Sequence, residues 1–390
     1  MCLRQLVRSF LVYSKSKKMS FIYCNGNNIE GPFHIIGDCH GCADELVELL
    51  EKLGYLLKED GSIWAVRGSA AADFKLIFVG DYIDRGPKSA QVLHILLKAW
   101  QDGALFFPGI NSTFSFQTHN LSNEYALGKY RFALGNDAEA KQHEDAQWQK
   151  IIAEAQKNNR DDSENILDAI KFEPVHINET SNSYKQRQLK RVPIMAVKGN
   201  HEFKLERVMC DRKVQAIFTD MASTMLSLRG AWQGLYRFAF GKDKNCFPFS
   251  YEELAAFLDA LPHYITLEGG NLLVSHAGLC QDLQGKNNQK AAHFCLFGDA
   301  NGKLDEKGFP IRHHWENSYT GKAQVVYGHT PVIKPLKCGN TWNIDTGCVF
   351  GGSLSALSYP QGEITSVKSR KIYCFKEGIS NIGAGEKATI

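Results

Sequence analysis

Short apolar runs that end in polar, glycine-containing loops recur along the chain. The runs at 33–36 and 76–79 have the length of buried strands, and each leads into a segment whose apolar positions follow a helical period. The first helical segment ends at Gly54, a residue type that commonly terminates helices. This order of strand, polar loop and helix predicts an α/β sandwich.

The same strand-then-loop pattern occurs three more times toward the C-terminus. The five predicted strands are followed by the motifs GDCHG at 37–41, GDYIDRG at 80–86, GNHE at 199–202, SHAG at 275–278 and GHT at 328–330. We therefore expect five strands to deliver polar side chains to one edge of the fold. No internal repeat, coiled coil or low-complexity tract interrupts this organisation.

A long polar segment, about residues 111–191, separates the second motif from the third. Residues 137–171 have strong helix-forming composition with a polar break near 158–162, which predicts an inserted helical hairpin over the motif edge. The segment carries eleven Lys and Arg against twelve Asp and Glu, so it is a poor candidate for a groove that binds a phosphate backbone. A protein-recognition cap and a surface insertion without a chemical role remain alternatives.

Composition excludes several classes of protein. A chain of 390 residues can bury its own core, and 44% hydrophobic with 22% charged residues excludes a disordered chain. A net charge of only +3 gives no global reason to expect nucleic acid or membrane as the main partner. No apolar stretch is long enough for a transmembrane helix, so we expect no integral membrane association.

Cysteine content and the first residues bear on the compartment. Eleven cysteines without small-domain spacing favour thiols in a reducing compartment, so we predict a cytoplasmic or otherwise intracellular protein. Residues 1–18 are basic and lack acidic side chains, which leaves organelle targeting or secretion into a host cell open. We interpret residues 1–20 as an N-terminal extension and residues 376–390 as a tail.

The motif residues match a centre with two metal ions. Asp38 and His40 lie one residue apart after a strand, so their side chains point the same way toward one ion. A carboxylate at the neighbouring strand end, Asp81, can bridge two ions. Neutral donors for the second ion are then available from Asn200, His276 and His329. Each residue alone has an ordinary structural explanation, but the joint pattern predicts a dimetal site.

These motifs, in this order, resemble the signature blocks of the calcineurin-like metallophosphoesterases, specifically the phosphoprotein phosphatase branch. Residues 294–331 and 343–359 resemble more narrowly the phosphatase module of bacterial polynucleotide kinase-phosphatases and the symmetrical dinucleoside tetraphosphatases. The resemblance implies a four-layered α/β/β/α metallophosphoesterase sandwich over residues 21–375, with the insertion at about 111–191. It also implies two divalent ions, with manganese favoured and iron or zinc as alternatives.

The resemblance assigns a role to each matching residue. It places Asp38, His40 and Asp81 on the first metal, and Asp81, Asn200, His276 and His329 on the second. The remaining assignments are His201 as the general acid, Asp84 as the residue that orients it, Arg85 as a phosphate clamp, Arg312 as a second clamp, and Asp345 as a residue that orients a ligand or the nucleophile.

The predicted activity is phosphomonoester hydrolysis by a metal-bridging hydroxide. A phosphorylated protein, on serine, threonine or tyrosine, is the favoured substrate, and a nucleotide or nucleic-acid end is the alternative. The chain has no GxxxxGK[ST] motif, so the kinase module that accompanies polynucleotide phosphatases is absent from it. A scaffold that uses the fold for binding alone is the alternative from a different class.

A CxxC motif, Cys39 to Cys42, surrounds the predicted ligand His40. Such a motif is compatible with redox control or with zinc. A lone CxxC without a second pair lacks the four ligands of a structural zinc site. The motif therefore predicts no site of its own.

Overall fold

A computed structural model describes residues 23–108, 188–209, 224, 228, 249, 251–304 and 310–375. The strands in this part of the chain are β1 Tyr23–Gly26, β2 Phe33–Ile36, β3 Tyr55–Leu57, β4 Ile63–Val66, β5 Lys75–Phe78, β6 Leu189–Arg191, β7 Ile194–Ala196, β8 Tyr264–Leu267, β9 Leu272–Ser275, β10 Ala300–Leu304, β11 Pro310–Arg312, β12 Gln324–Tyr327, β13 Leu336–Cys338, β14 Thr341–Asn343, β15 Ser353–Tyr359 and β16 Glu363–Lys368. The α-helices there are α1 Ala43–Lys52, α2 Ser89–Gln101, α3 Asn200–Met209, α4 Tyr251–Ala260 and α5 Gln289–Phe297.

Two large mixed sheets organise these strands. One sheet has the order β16-β15-β2-β5-β7, and the other has the order β1-β8-β9-β12-β14-β13. Within the first sheet β2, β5 and β7 are parallel, and within the second β9, β12 and β14 are parallel. The three parallel strands of each sheet therefore end at the same edge of that sheet. The sequence motifs come directly after these strand ends.

Alternating side chains divide the apolar residues between two clusters. On β9, Leu272 and Val274 lie in the main core, which also contains residues of β2, β5, α1 and α2. The intervening Leu273 lies in a second cluster with residues of α5. The second sheet thus packs against the first sheet on one face and against α5 on the other. The α/β class and the four-layered arrangement predicted from the sequence are confirmed.

The small sheets and the segment boundaries differ in detail from the sequence prediction. Residues Leu189–Arg191 lay within the predicted insertion, but they form β6 and pair with β4 in a three-stranded sheet with β3. A three-residue strand is too short to stand out by periodicity beside a helix-forming segment. The N-terminal extension, the rest of the insertion and the tail lie outside the described residues. No helix in the described ranges combines the length and apolar character needed to cross a bilayer.

Candidate metal centre

The predicted site residues meet at the carboxyl ends of both parallel trios. Asp38 and His40 follow β2, Asp81 follows β5, and Asn200 opens α3 just after β7. From the second sheet, His276 follows β9 and His329 follows β12. The edge where the two sheets end therefore collects all six predicted metal ligands.

Positive backbone φ angles at residues other than glycine are concentrated at this edge. Among the described residues, six that are not glycine have a positive φ, and five of these belong to the motifs: His40 at 42°, Asp81 at 50°, Asp84 and Arg85 at 70°, and His329 at 71°. Such conformations cost free energy and persist only where surrounding contacts impose them. Their concentration here marks this edge as the functional part of the molecule.

Glu202, which the sequence reasoning left without a role, supplies some of those contacts. Its carboxylate accepts hydrogen bonds from the backbone N–H of Asp81 at 2.8 Å, of Tyr82 at 2.8 Å and of Gly199 at 3.0 Å. It thereby fixes the loop after β5 against the start of α3. The signal was its position in the first turn of the helix that GNHE opens, where a carboxylate commonly meets free backbone N–H groups.

Asp81 faces histidines on both sides. Its Oδ2 lies 3.4 Å from His40 Nε2 and 3.9 Å from His201 Nε2, whereas its Oδ1 lies 3.3 Å from His276 Nε2. The backbone N–H of His201 also donates to Oδ1 at 3.1 Å. The two carboxylate oxygens are thus directed at two separate groups of ligand atoms, as a bridging carboxylate requires.

The histidines next to Asp81 present the nitrogen that a metal would use. His40 Nδ1 lies 2.8 Å from the carbonyl of Ile83, and His276 Nδ1 lies 3.2 Å from the carbonyl of Val79. A carbonyl only accepts, so Nδ1 donates in each ring, which leaves Nε2, on the side of Asp81, as the nitrogen available to a metal.

The second group of ligand atoms surrounds His276. Its Nε2 lies 2.9 Å from Asn200 Oδ1 and 3.0 Å from His329 Nδ1. Asp81, His276 and His329 form one group of ligand atoms within 4.8 Å of one another, and His40, Asp81 and His201 form another. Asp81 is common to both groups.

Asp38 is placed differently from the other predicted ligands. Its Oδ2 accepts from the backbone N–H of His329 at 3.0 Å and lies 4.0 Å from His276 Nδ1, and it is in neither group of mutually close atoms. Its Oδ1 is buried and has no hydrogen-bond partner within the described part of the chain. A Cβ at Gly328 would lie 1.9 Å from this oxygen, so only glycine allows that approach.

The carboxylates at the edge differ in their pKa values. Burial, followed by the charges of Asp345 and Asp81, raises the pKa of Asp38 well above its usual range. Burial also acts to raise the pKa of Asp81, but His276, His201 and His40 together hold it well below its usual range. Asp345 is raised to a pKa of about 6, chiefly by burial.

His201 and Asp84 form a buried pair beside this centre. His201 Nδ1 lies 2.5 Å from Asp84 Oδ2, and both side chains are 1% exposed. The backbone N–H of Asp84 is held in turn by the hydroxyls of Thr224 at 2.8 Å and Ser89 at 3.2 Å. A carboxylate that accepts from Nδ1 fixes the ring orientation and supports an imidazolium, so Nε2 can carry a proton toward the metal edge.

The three remaining predicted residues are placed less uniformly. Arg85 Nη1 donates to His40 Nε2 at 2.7 Å, and its guanidinium lies 5.3 Å from the Phe350 ring centroid. Asp345 is buried after β14, where its Oδ1 accepts from the backbone N–H of Gly347 at 2.9 Å. Arg312 ends β11, opposite Ala300 of β10, and its side chain lies outside the described part of the structure.

Comparison with known proteins identifies the family. Residues 31–112 match the family model described as calcineurin-like phosphoesterase. The asymmetrical bis(5'-nucleosyl)-tetraphosphatase PrpE of Anoxybacillus flavithermus is 31% identical over 342 residues, which is 87% of this chain and 96% of that protein. The chain belongs to the calcineurin-like metallophosphoesterases.

Further matches complete the comparison. PrpE of Bacillus subtilis is 28% identical to this metallophosphoesterase over 348 residues, covering 87% of this chain and 96% of that protein. A solved serine/threonine protein phosphatase from Saccharomyces cerevisiae superposes with a TM-score of 0.40 at 11% identity, over 94% of this chain and 90% of that one. A similarity this low has no bearing on the assignment. Membership in the family makes the protein a phosphoester hydrolase, as the sequence predicted.

The donor set of this phosphoesterase fits the dimetal centre that its family uses. Buried carboxylates need a compensating positive charge, and Asp38 and Asp81 are both buried at this edge. Oxygen and imidazole donors converge on each side of Asp81. When bound, two divalent ions stabilise charge on phosphate oxygens and lower the pKa of a nucleophilic water.

Proposed function

We propose that this metallophosphoesterase hydrolyses a phosphoanhydride bond of a dinucleoside tetraphosphate. The observation that carries the proposal is the extent of the similarity to the proteins named asymmetrical bis(5'-nucleosyl)-tetraphosphatase. The Anoxybacillus match covers 96% of that relative and 87% of this chain. The phosphoprotein substrate favoured by the motifs becomes the second candidate.

We assign the metal ligands along the two sides of Asp81. His40 and Asp38 would serve the first ion, Asn200, His276 and His329 would serve the second, and Asp81 would bridge them. Asp38 supports this arrangement because its buried Oδ1 has no hydrogen-bond partner among the residues that the structure describes. Manganese suits this mixture of oxygen and imidazole donors, and iron or zinc suits it as well.

The protein's own groups then divide the remaining work. His201 holds a proton on Nε2 for the leaving oxygen, and Asp84 keeps the ring in position through Nδ1. Arg85 lies beside His40, where a planar guanidinium can bind non-bridging phosphate oxygens. Asp345 sits behind these groups and orients a neighbouring ligand.

The second candidate, a phosphoprotein, is favoured by one observation. A phosphoserine ester leaves as an alkoxide, which needs a proton, whereas a nucleotide phosphate is a much weaker base. The buried Asp84–His201 pair supplies that proton, so it is more valuable for the ester than for the anhydride. The same site can therefore serve either substrate class, so an assay must decide between the phosphoprotein and the nucleotide.

The test compares diadenosine tetraphosphate with a phosphoserine peptide on the same preparation in Mn²⁺. We expect kcat/KM to favour the nucleotide by about two orders of magnitude. Product analysis adds a second result: asymmetrical cleavage yields ATP and AMP in equal amounts, whereas symmetrical cleavage yields only ADP. The Asp81→Asn variant, inactive on both substrates, excludes a contaminating phosphatase.

The outcomes separate the candidates. Equal amounts of ATP and AMP support the proposed activity. ADP as the sole product would show symmetrical cleavage, the activity implied by the narrower resemblance to symmetrical tetraphosphatases. A preference for the phosphopeptide would replace the proposal with the second candidate.

A further inference from the structure

A buried cluster of two thiols and a carboxylate lies behind the metal edge. Cys42 precedes α1, Glu45 lies in the first turn of α1, and Cys348 opens a 3₁₀ turn that follows β14. Their exposed fractions are 1%, 0% and 2%. One sulfur from each cysteine and one oxygen of Glu45 lie within 4.8 Å of one another.

The structure changes the meaning of the CxxC motif. The Cys39 thiol is directed at the carbonyl of Gly37, with the sulfur 3.6 Å from that oxygen. The Cys42 sulfur lies 3.8 Å from the carbonyl of His40 and is also grouped with Cys348, about three hundred residues later in the sequence. The pair that spacing suggested is therefore replaced by a pair that only the fold brings together.

Glu45 gives an independent reason to expect a cation here. Its Oε1 accepts from the Tyr373 hydroxyl at 2.7 Å and from the backbone N–H of Arg370 at 2.9 Å. Its Oε2 is buried and has no hydrogen-bond partner among the described residues. A fully buried carboxylate oxygen without a donor is costly unless a proton or a cation compensates it.

The donor chemistry selects the kind of cation. Thiolates bind soft and borderline ions, such as zinc and cadmium, whereas the metal edge around Asp81 offers only oxygen and imidazole donors. Ligand atoms on one tetrahedral zinc lie about 3–4 Å apart. The cluster therefore needs only a small contraction for its three donors to reach one ion, and binding would release one proton from each thiol to solvent.

We propose that Cys42, Cys348 and Glu45 bind one zinc-class cation that is separate from the catalytic pair. Such an ion would tie the start of α1, which follows the loop of Asp38 and His40, to the turn that follows Asp345. Its effect is on folding and stability, and it requires no step of the hydrolytic reaction.

Cadmium provides a spectroscopic probe for the thiols that the oxygen and imidazole donors of the metal edge do not affect. The full chain is unfolded under reducing conditions, stripped with a chelator and refolded with increasing Cd²⁺, because the cluster is buried in the folded protein. We expect an ultraviolet thiolate-to-cadmium charge-transfer band that saturates at one equivalent, together with a higher unfolding temperature. Cadmium bound to carboxylates and imidazoles gives no such band.

Three variants test which residues bind the cadmium that gives the band. In C42S/C348S it should disappear, and in C295S, which alters an equally buried thiol in the second apolar cluster, it should be unchanged. Glu45→Gln should keep both thiols but weaken cadmium affinity by at least about tenfold. If C42S/C348S fails to fold, the comparison of wild type, E45Q and C295S still decides the question.

Three results would overturn the proposal. Absence of the charge-transfer band in the wild-type protein would show that no thiolate binds cadmium. Persistence of the band in C42S/C348S would assign the cadmium to other thiols. A disulfide mapped between Cys42 and Cys348, in protein purified without metal and denatured under non-reducing conditions, would make the pair a covalent link.

Discussion

The two sides of the metal edge treat equally buried carboxylates in opposite ways. On the imidazole side, Asp81 lies among His40, His201 and His276, and its pKa is held below the usual range. On the carboxylate side, Asp38 and Asp345 lie close enough to repel each other, and burial raises both of their pKa values. Predicted ligands of one centre are thus electrostatically unequal before any ion binds.

This difference indicates that the charge of Asp81 is stabilised by the protein alone, whereas the charge of Asp38 is not. Asp81 is stable as a carboxylate because the protein supplies its partners, so it can define the position of both ions. Asp38 has an oxygen without a hydrogen-bond partner in the described structure, and burial and neighbouring carboxylates raise its pKa. The imidazole side therefore organises the site, and the carboxylate side responds to its occupation.

The largest expected effect is at Asp81. Replacing it with Asn removes the charge that faces both groups of ligand atoms, and an amide cannot bridge two cations. Hydrolysis of a chromogenic phosphoester should fall to the level of the chelated wild-type enzyme, with reduced metal content by elemental analysis. Activity near that of the wild type would remove Asp81 from the organising role.

Substitution of His201 tests whether this imidazole donates a proton to the substrate in addition to its contact with Asp81. His201→Ala should lower turnover of an unactivated ester by on the order of 10²–10⁴ while metal content persists. A dinitrophenyl phosphate should lose much less, because its leaving group needs no proton. Equal losses on the two esters would show that His201 serves Asp81 and the site geometry instead.

Asp345 should make the free energy of unfolding depend on pH. With a folded pKa of about 6 against an ordinary value of 3.8, the metal-free folded protein keeps a proton that the unfolded chain has lost. The free energy of unfolding should therefore fall as pH rises from about 4 to about 6, by up to about 3 kcal/mol.

The variant Asp345→Asn should reduce this slope in chelated protein, measured by denaturant unfolding at several pH values, and leave the part that Asp38 contributes. Asp282→Asn, at an exposed position, is the matched control and should leave the slope unchanged. A slope as steep in D345N as in the wild type would place its origin in another group.

The smallest effect separates the two sides directly. In metal-free protein at neutral pH, Asp38→Asn should raise the free energy of unfolding by on the order of 1 kcal/mol, because burial and the neighbouring carboxylates oppose an ionisation of Asp38 that is free in the unfolded chain. Asp81→Asn should lower it, because it removes a partner from the surrounding N–H and imidazole groups. Changes of the same sign would contradict the proposed difference between the sides.

Much of the fold was accessible from local patterns. Short apolar runs located β2, β5, β7, β9 and β12, and a motif at the end of each strand put its polar residues at the correct edge. Strand ends are predictable because strand length and glycine-containing loops are local properties of the sequence. Side-chain proximity within the edge is not local, so the separate position of Asp38 could not be anticipated.

Residues whose function depends on distant backbone were missed for the same reason. Glu202 acts on N–H groups about 120 residues earlier, and Cys348 finds Cys42 across the fold. Neither relation leaves a spacing signal in the sequence. The roles of Asp84, Arg85 and Arg312 remain predictions from the resemblance, to be tested by the substitutions that their positions suggest.

The neighbourhood of β7 has a consequence for how this enzyme can be engineered. Ile194 donates to the carbonyl of Ala104 at 2.8 Å and accepts from the N–H of Phe106 at 3.0 Å, so the chain is fastened on both sides of residues 109–187. With the ends of an intervening segment held together, doubling its length adds only about 0.6 kcal/mol of closure entropy. A change in the number of residues between these two anchored ends should therefore leave the pairing at β7 in place, which makes this position suitable for engineered insertions.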